Sequence, residues 1–240
     1  MVDRLRLFDE NDPGTLRLKN DLALTYNKKC GDHERVITLY EEVVAGSILT
    51  LGEGHPETLN SQNNLAVAYL AAERFDLAVR LSEKVVEMGA QLVDSGHPVL
   101  LRWQQGLASA YLMVGNIEAA ATLCSKTLAA REQVLGLTDP ETIESRYALA
   151  EAYLQLRQYA DAIVQLEQVL VDSENVFDRS HQMIVFTRAN LGFAYVVTGR
   201  KRKGIDLCRL NFIDCRRLLG AENWLTRAAK VALDGVNNVP

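Results

Sequence analysis

Apolar and polar positions alternate along this chain with a helical period, and the pattern is itself repeated. Leu59, Leu65, Ala66 and Tyr69 fall on one stripe at close to 3.6 residues per turn, which predicts an amphipathic helix. A polar turn follows at Ala72-Glu73-Arg74. A second apolar-periodic stretch then runs from about Asp76 to Leu92. The same pair recurs around five tyrosines, Tyr26, Tyr69, Tyr111, Tyr153 and Tyr195, spaced by 43, 42, 42 and 42 residues. Four residues before each tyrosine stands a leucine: Leu22, Leu65, Leu107, Leu149 and Leu191. A fixed period in this range predicts stacked helical repeats, each burying its apolar face on its neighbours.

The helix starts are written into the same register. Asp12-Pro13, His55-Pro56, His97-Pro98 and Asp139-Pro140 open the first helix of four repeats, and Gln182 replaces the proline in the fifth. Asp caps free backbone N–H groups well and His less well. Proline at the first helical position loses nothing, because its missing N–H had no partner there. In the second helices a small residue recurs at Ala78, Ala120, Ala162 and Gly204, where close approach to the first helix is expected. Repeat one carries its extra residue in the turn Cys30-Gly31-Asp32-His33, so Val36 takes that position. The repeats run over about 8–50, 51–92, 93–134, 135–176 and 177–218, with a partial sixth over 219–240 in which Trp224 stands at the proline position. The whole of 1–240 reads as one repeat domain. Leu5 lines up with the end of a second helix, so the repeats read as cut at both ends: a piece of a larger protein, or one with improvised caps.

Composition adds little chemistry. Cys30, Cys124, Cys208 and Cys215 form no CxxC pair and no metal spacing; they read as small buried residues in a reducing compartment. His55, His97 and His181 fall one per repeat at helix starts, where capping accounts for them, and no metal site is expected. No phosphate-binding glycine loop, HExxH or GxSxG appears, so no enzyme activity and no cofactor are expected. The net charge is −5, but residues 177–240 carry 11 Lys/Arg against 5 Asp/Glu, which leaves an acidic body and a basic end. That balance argues against general nucleic-acid binding. No apolar run reaches membrane-spanning length, and the N-terminus lacks an apolar signal region. A cytoplasmic protein with neither nucleic-acid nor membrane partner is the expectation.

The residues Leu65-Ala66-Val67-Ala68-Tyr69 with Ala78, and their counterparts through Leu191-Gly192-Phe193-Ala194-Tyr195 with Gly204, resemble the tetratricopeptide repeat (TPR). The 42-residue period, with Leu135-Gly136 and Leu219-Gly220 before the next repeat, is similar to the kinesin-light-chain subtype. The resemblance implies an all-α fold: a right-handed superhelical solenoid of about five helix-turn-helix repeats plus a partial sixth. It further implies a concave groove lined by first helices. Carried over position by position, the groove residues would be Asn20 and Asn27, Asn60 and Asn63, then Arg102 and Gln105. Tyr147, Glu151, Phe186 and Phe193 would continue the row. Amides that both donate and accept suit the backbone of an extended peptide, and aromatic rings suit interface anchors. The expected function is a non-catalytic module that binds a protein or peptide partner in this groove, as scaffold or as the sensor part of a larger regulator. The alternative is a structural unit that self-associates end to end.

Overall fold

The helix starts form where the sequence caps them. In the computed structural model, which describes residues 12–29 and 32–238 (the side chains of 13, 24 and 26–29 excepted), eleven helices and no strand occur among the described residues. They are α1 (Pro13–Lys29), α2 (His33–Leu51), α3 (Pro56–Ala71), α4 (Phe75–Gly89), α5 (Pro98–Met113) and α6 (Ile117–Val134). Then come α7 (Pro140–Gln155), α8 (Tyr159–Val176), α9 (Gln182–Val197), α10 (Lys201–Leu219) and α11 (Trp224–Asn237). Asp139 Oδ1 accepts from the Glu141 backbone N–H at 2.8 Å. The imidazole Nδ1 atoms of His55, His97 and His181 do the same for α3, α5 and α9 at 3.2, 3.3 and 3.3 Å. Without its proline, α9 still starts on time because His181 caps it. Asn223 caps α11 in the same way at 2.9 Å.

The chain forms two compact units, residues 1–116 and 117–240. In the first, α1 to α5 pack each on the next, and the first helices α3 and α5 also touch. Its core joins Ala23, Val36, Ile37, Tyr40, Leu65 and Ala68, and further along Leu59, Val85, Leu100 and Trp103. In the second unit, α6 to α11 pack in the same succession, with α9 also against α11. Ala150, Leu166, Leu191, Ala194 and Tyr195 make its main cluster.

The small positions do what the sequence predicts. Ala78, Ala120 and Ala162 are wholly buried and Val36 nearly so. Approach is closest between α9 and α10: a Cβ on Gly204 would lie 2.3 Å from the Gly192 carbonyl oxygen, so only glycine fits. The interhelix turns place Glu73, Gly115, Arg157 and Gly199 in the left-handed region, at φ of 58°, 80°, 59° and 84°. Two of these four are not glycine, a conformation that L-residues adopt at a cost.

The anchor tyrosines also tie repeats together. The Tyr69 hydroxyl donates to Glu41 at 2.9 Å, Tyr111 to Glu83 at 2.7 Å, and Tyr195 to Glu167. Each acceptor lies 28 residues earlier, on the second helix of the preceding repeat. Cys124, Cys208 and Cys215 are buried free thiols; burial pushes Cys124 up to about 12 and Cys208 to about 11, which keeps both protonated at neutral pH. Cys30 and Leu5 lie outside the described residues.

Candidate partner-binding surface

The first helices carry the candidate residues at fixed places in each repeat, so the geometry can be compared rung by rung. In the unit of residues 1–116, the Asn20 Oδ1 accepts from Asn64 Nδ2 at 3.1 Å, joining α1 to α3. Asn60 Oδ1 accepts from the indole Nε1 of Trp103 at 3.0 Å, joining α3 to α5. Asn63 is nearly buried and its Oδ1 has no hydrogen-bond partner. The cause is the next repeat: Gly106 stands where Asn64 and Asn190 stand in theirs, so no side chain reaches back to it. A Cβ at Gly106 would come within 2.9 Å of that oxygen. Arg102 is exposed and Gln105 half-buried on α5. The side chain of Asn27 lies outside the described residues.

In the unit of residues 117–240 the same row changes character. Tyr147 stands at the Asn20 position, and its hydroxyl accepts from Asn190 Nδ2 at 2.9 Å. That hydroxyl also bonds Glu151, one turn further along α7. Burial raises the Glu151 carboxyl above the ordinary carboxylate range, and the Tyr147 bond opposes the shift. Burial, then the Glu151 charge and hydrogen bond, push the Tyr147 phenol far up. Glu144, exposed on the same helix, is also raised by burial, with Arg131 pulling against it. Phe186 is half-buried with its ring tilted against Trp224, centroids 5.9 Å apart. Phe193 is 39% exposed and meets Tyr159 edge-on at 6.2 Å.

The structure thus links Asn20, Asn60, Tyr147 and Glu151 to specific partners, buries Asn63, and leaves Arg102 and Phe193 outward. Trp103, one position off the row, is core, at 1% exposed. Sequence reading missed Asn64 and Asn190 as the donors that close the rungs. It also missed two buried clamps just behind the row. Arg146 bonds Asp172 at 2.8 Å and Glu132; Arg188 bonds Asp214 at 3.0 Å and Glu174 at 2.7 Å. Each clamp draws on a carboxylate 14 residues before and one 26 residues after the arginine, a 42-spaced signal that was present in the sequence. Among the described residues no group of His, Cys, Asp and Glu converges to hold a metal, and no helix is long and apolar enough to cross a membrane.

A helix pair every 42 residues, with its Leu-x-x-x-Tyr motif and small second-helix residue in contact, is the arrangement of one repeat family, and the TPR family model matches residues 14–91 and 100–170. This chain belongs to the tetratricopeptide-repeat family. It is 31% identical to a solved kinesin-light-chain-like protein of Podosopora anserina with nearly identical TPR-like repeats, over 86% of this chain and 98% of that one, at a TM-score of 0.72. The kinesin-light-chain-like subtype is therefore shown along with the family. A Rap protein complexed with Competence and Sporulation Factor aligns at 12% identity over 92% of this chain and 64% of its own, TM-score 0.69. A signal transduction ATPase with numerous domains and a TPR sensor, from Pyrococcus horikoshii, aligns at 16% over 97% and 34%, TM-score 0.71. At those identities the last two speak to the fold alone. No curated protein matches the sequence. The TPR fold makes this chain a protein-interaction scaffold.

Proposed function

We propose that this TPR chain is a non-catalytic, cytoplasmic binding module that holds an extended peptide or a short helix along its first-helix faces, as a scaffold or as the sensor part of a larger regulator. The observation that carries this reading is the row of hydrogen-bonding and aromatic side chains that the first helices present once per repeat. Core packing does not require Asn20, Asn60, Arg102, Glu151 or Phe193 to be polar, charged or half-exposed. Amides in register suit a peptide main chain, which repeats its own donors and acceptors at short intervals. Glu151 and Phe193 add a place for a cationic or apolar side chain. The Rap complex and the sensor-bearing ATPase are the same fold used in peptide binding and sensing, which supports the class of function.

The test is selection from a phage-displayed random-peptide library. Wild-type protein is run beside an Arg102→Glu, Glu151→Gln, Phe193→Ala variant whose folding is checked by circular dichroism. The wild type is expected to enrich a shared motif, and the variant to bind that motif at least about tenfold more weakly, a loss near 1.4 kcal/mol. Equal enrichment by both proteins overturns the reading.

A second reading, self-association, draws on α11, where Trp224 is 58% and Val231 72% exposed. Sedimentation at rising concentration tests it: a mass that climbs in wild type and not in Trp224→Ser, Val231→Ser supports assembly through α11. A constant monomer removes it.

A further inference from the structure

The place filled by Trp103 in one pair of repeats is open in the pair before it. Trp103 lies over Gly89, where even a Cβ would sit 2.4 Å from the ring, and packs among Leu59, Val85 and Leu100. Its Nε1 donates to Asn60 at the edge of the first-helix face. One repeat earlier the chain offers the same surroundings, 43 residues back on α1 and 42 back on α2 and α3. Leu16 stands for Leu59, Val43 for Val85, Ser47 for Gly89 and Arg17 for Asn60. The ring itself is missing, because Ser61 stands for Trp103. What remains is a cavity of about 290 Å³ between α1, α2 and α3, lined by those five residues and opening beside Asn20 and Asn60.

We propose that this cavity is a socket for an aromatic side chain, of indole size, presented by the bound partner. The proposal rests on reading the first-helix face as a partner-binding surface, and it names the anchor that surface takes. The size fits: a cavity of roughly 150 Å³ holds a benzene ring, and this one has room for a bicyclic ring. Its chemistry fits as well. Leu16 and Val43 are buried at its base, at 5% and 2% exposed, and give an apolar floor. Ser47 carries a side chain that Gly89 lacks, so a guest ring sits nearer the mouth than Trp103 does. There the planar guanidinium of Arg17, exposed and without an ion pair among the described residues, can lie over its face. Asn20 and Asn60 are placed to accept from a ring N–H, as Asn60 already does from Trp103. Aromatic anchors in such pockets carry a large share of interface energy.

The test uses indole and N-acetyl-tryptophanamide as probes on the full chain, followed by amide chemical shifts. Saturable shifts are expected at Ser47, Ser61 and Asn64, with millimolar affinity for a ligand of so few atoms. Ser61→Trp restores the internal plug of the next repeat and is expected to weaken both probes at least tenfold. Ser47→Leu fills the same space from α2 and serves if the tryptophan variant does not fold. No saturable shift, shifts centred elsewhere, or undiminished binding by both filled variants overturns the socket. The peptide selection separates the two proposals. Indole binding here with no peptide selected supports the socket and fells the wider reading. Selected peptides that lack an aromatic residue and ignore Ser61→Trp fell the socket alone.

Discussion

The two compact units solve one packing problem by different chemistry. Three residues before the anchor leucine, the first helix points a long side chain at the second helices. In the unit of residues 1–116 that side chain at α3 is Gln62, 2% exposed with an unpaired Oε1. In the unit of residues 117–240 it is Arg146 and then Arg188, each held between two carboxylates. Gln168 and Arg217 complete the acceptors of Asp172 and Asp214. The neighbouring position shows the same divergence. Gly89 with Trp103 fills the space between α4 and α5 by an indole; Arg131 with Ser145 fills it between α6 and α7 by a guanidinium that donates to Ser145 Oγ at 2.8 Å and to the Glu141 carbonyl at 2.7 Å. The repeat fixes where a large group is needed and which helix faces it. It does not fix whether that group is apolar or charged.

The largest expected effect breaks a clamp. Asp172→Ala leaves Arg146 buried with one carboxylate, and removing one partner of a buried pair typically costs about 3–5 kcal/mol. Urea unfolding is expected to show that loss. The matching change in the other unit, Gln62→Met, removes an unpaired buried oxygen and is expected to be neutral or stabilising. If both changes cost the same, the clamp is no more than a polar filler. The double replacement Arg146→Met, Asp172→Leu sharpens the point: it should recover most of the loss, because an apolar pair of similar size often replaces a buried ion pair without penalty.

These clamps also mark the limit of what the sequence shows. The period, the helix starts and the small positions were legible, because each is imposed by contact with an identical neighbour and recurs at every turn of the repeat. Arg146 and Arg188 looked like departures from a bulky aromatic position. Their partners lie on two other helices, so a single-helix pattern could not supply them. The candidate row was legible as a row and not as a set of states. Asn63 is buried and unpaired only because Gly106 follows it one repeat later, whereas Asn20 is paired because Asn64 does. The empty socket beside Ser61 needed the comparison with Trp103. The division at residues 116 and 117 falls in the turn of the third repeat, where the 42-residue period runs on without a break.

A smaller effect tests the charge on the second unit's row. Glu151 is raised by burial, so in the folded protein its ionised form is disfavoured relative to the unfolded chain. Below the unfolded carboxylate range the residue is protonated in both states and costs nothing. As pH rises past that range toward and through the folded value, the unfolded chain ionises first and stability falls. Glu151→Gln is therefore expected to raise Tm at pH 7.5, by at most about 2–4 °C, the worth of 1 kcal/mol in a chain of this size. The gain should vanish near pH 4. A gain that persists there comes from packing and not from charge. Asn20→Ala, on the amide row of the first unit, has no ionising group and should show no such pH dependence.

The smallest effects lie at the helix starts, where the units again differ. The first unit caps α3 and α5 with His55 and His97; the second caps α7 with Asp139, whose bond to the helix is shorter. A carboxylate at a helix start gains from the dipole by about 0.3–1 kcal/mol where the imidazole is neutral. His97→Asp should gain more than His55→Asp, because α3 already has Glu57 in its first turn and α5 has no acidic residue there. Amide exchange in the first turns of α3 and α5 reads the change locally. Asp139→His is the reverse experiment and should lose a similar amount in α7. If His97→Asp slows exchange no more than His55→Asp, the gain does not depend on charge already present at the helix start. The better cap geometry alone would then account for it.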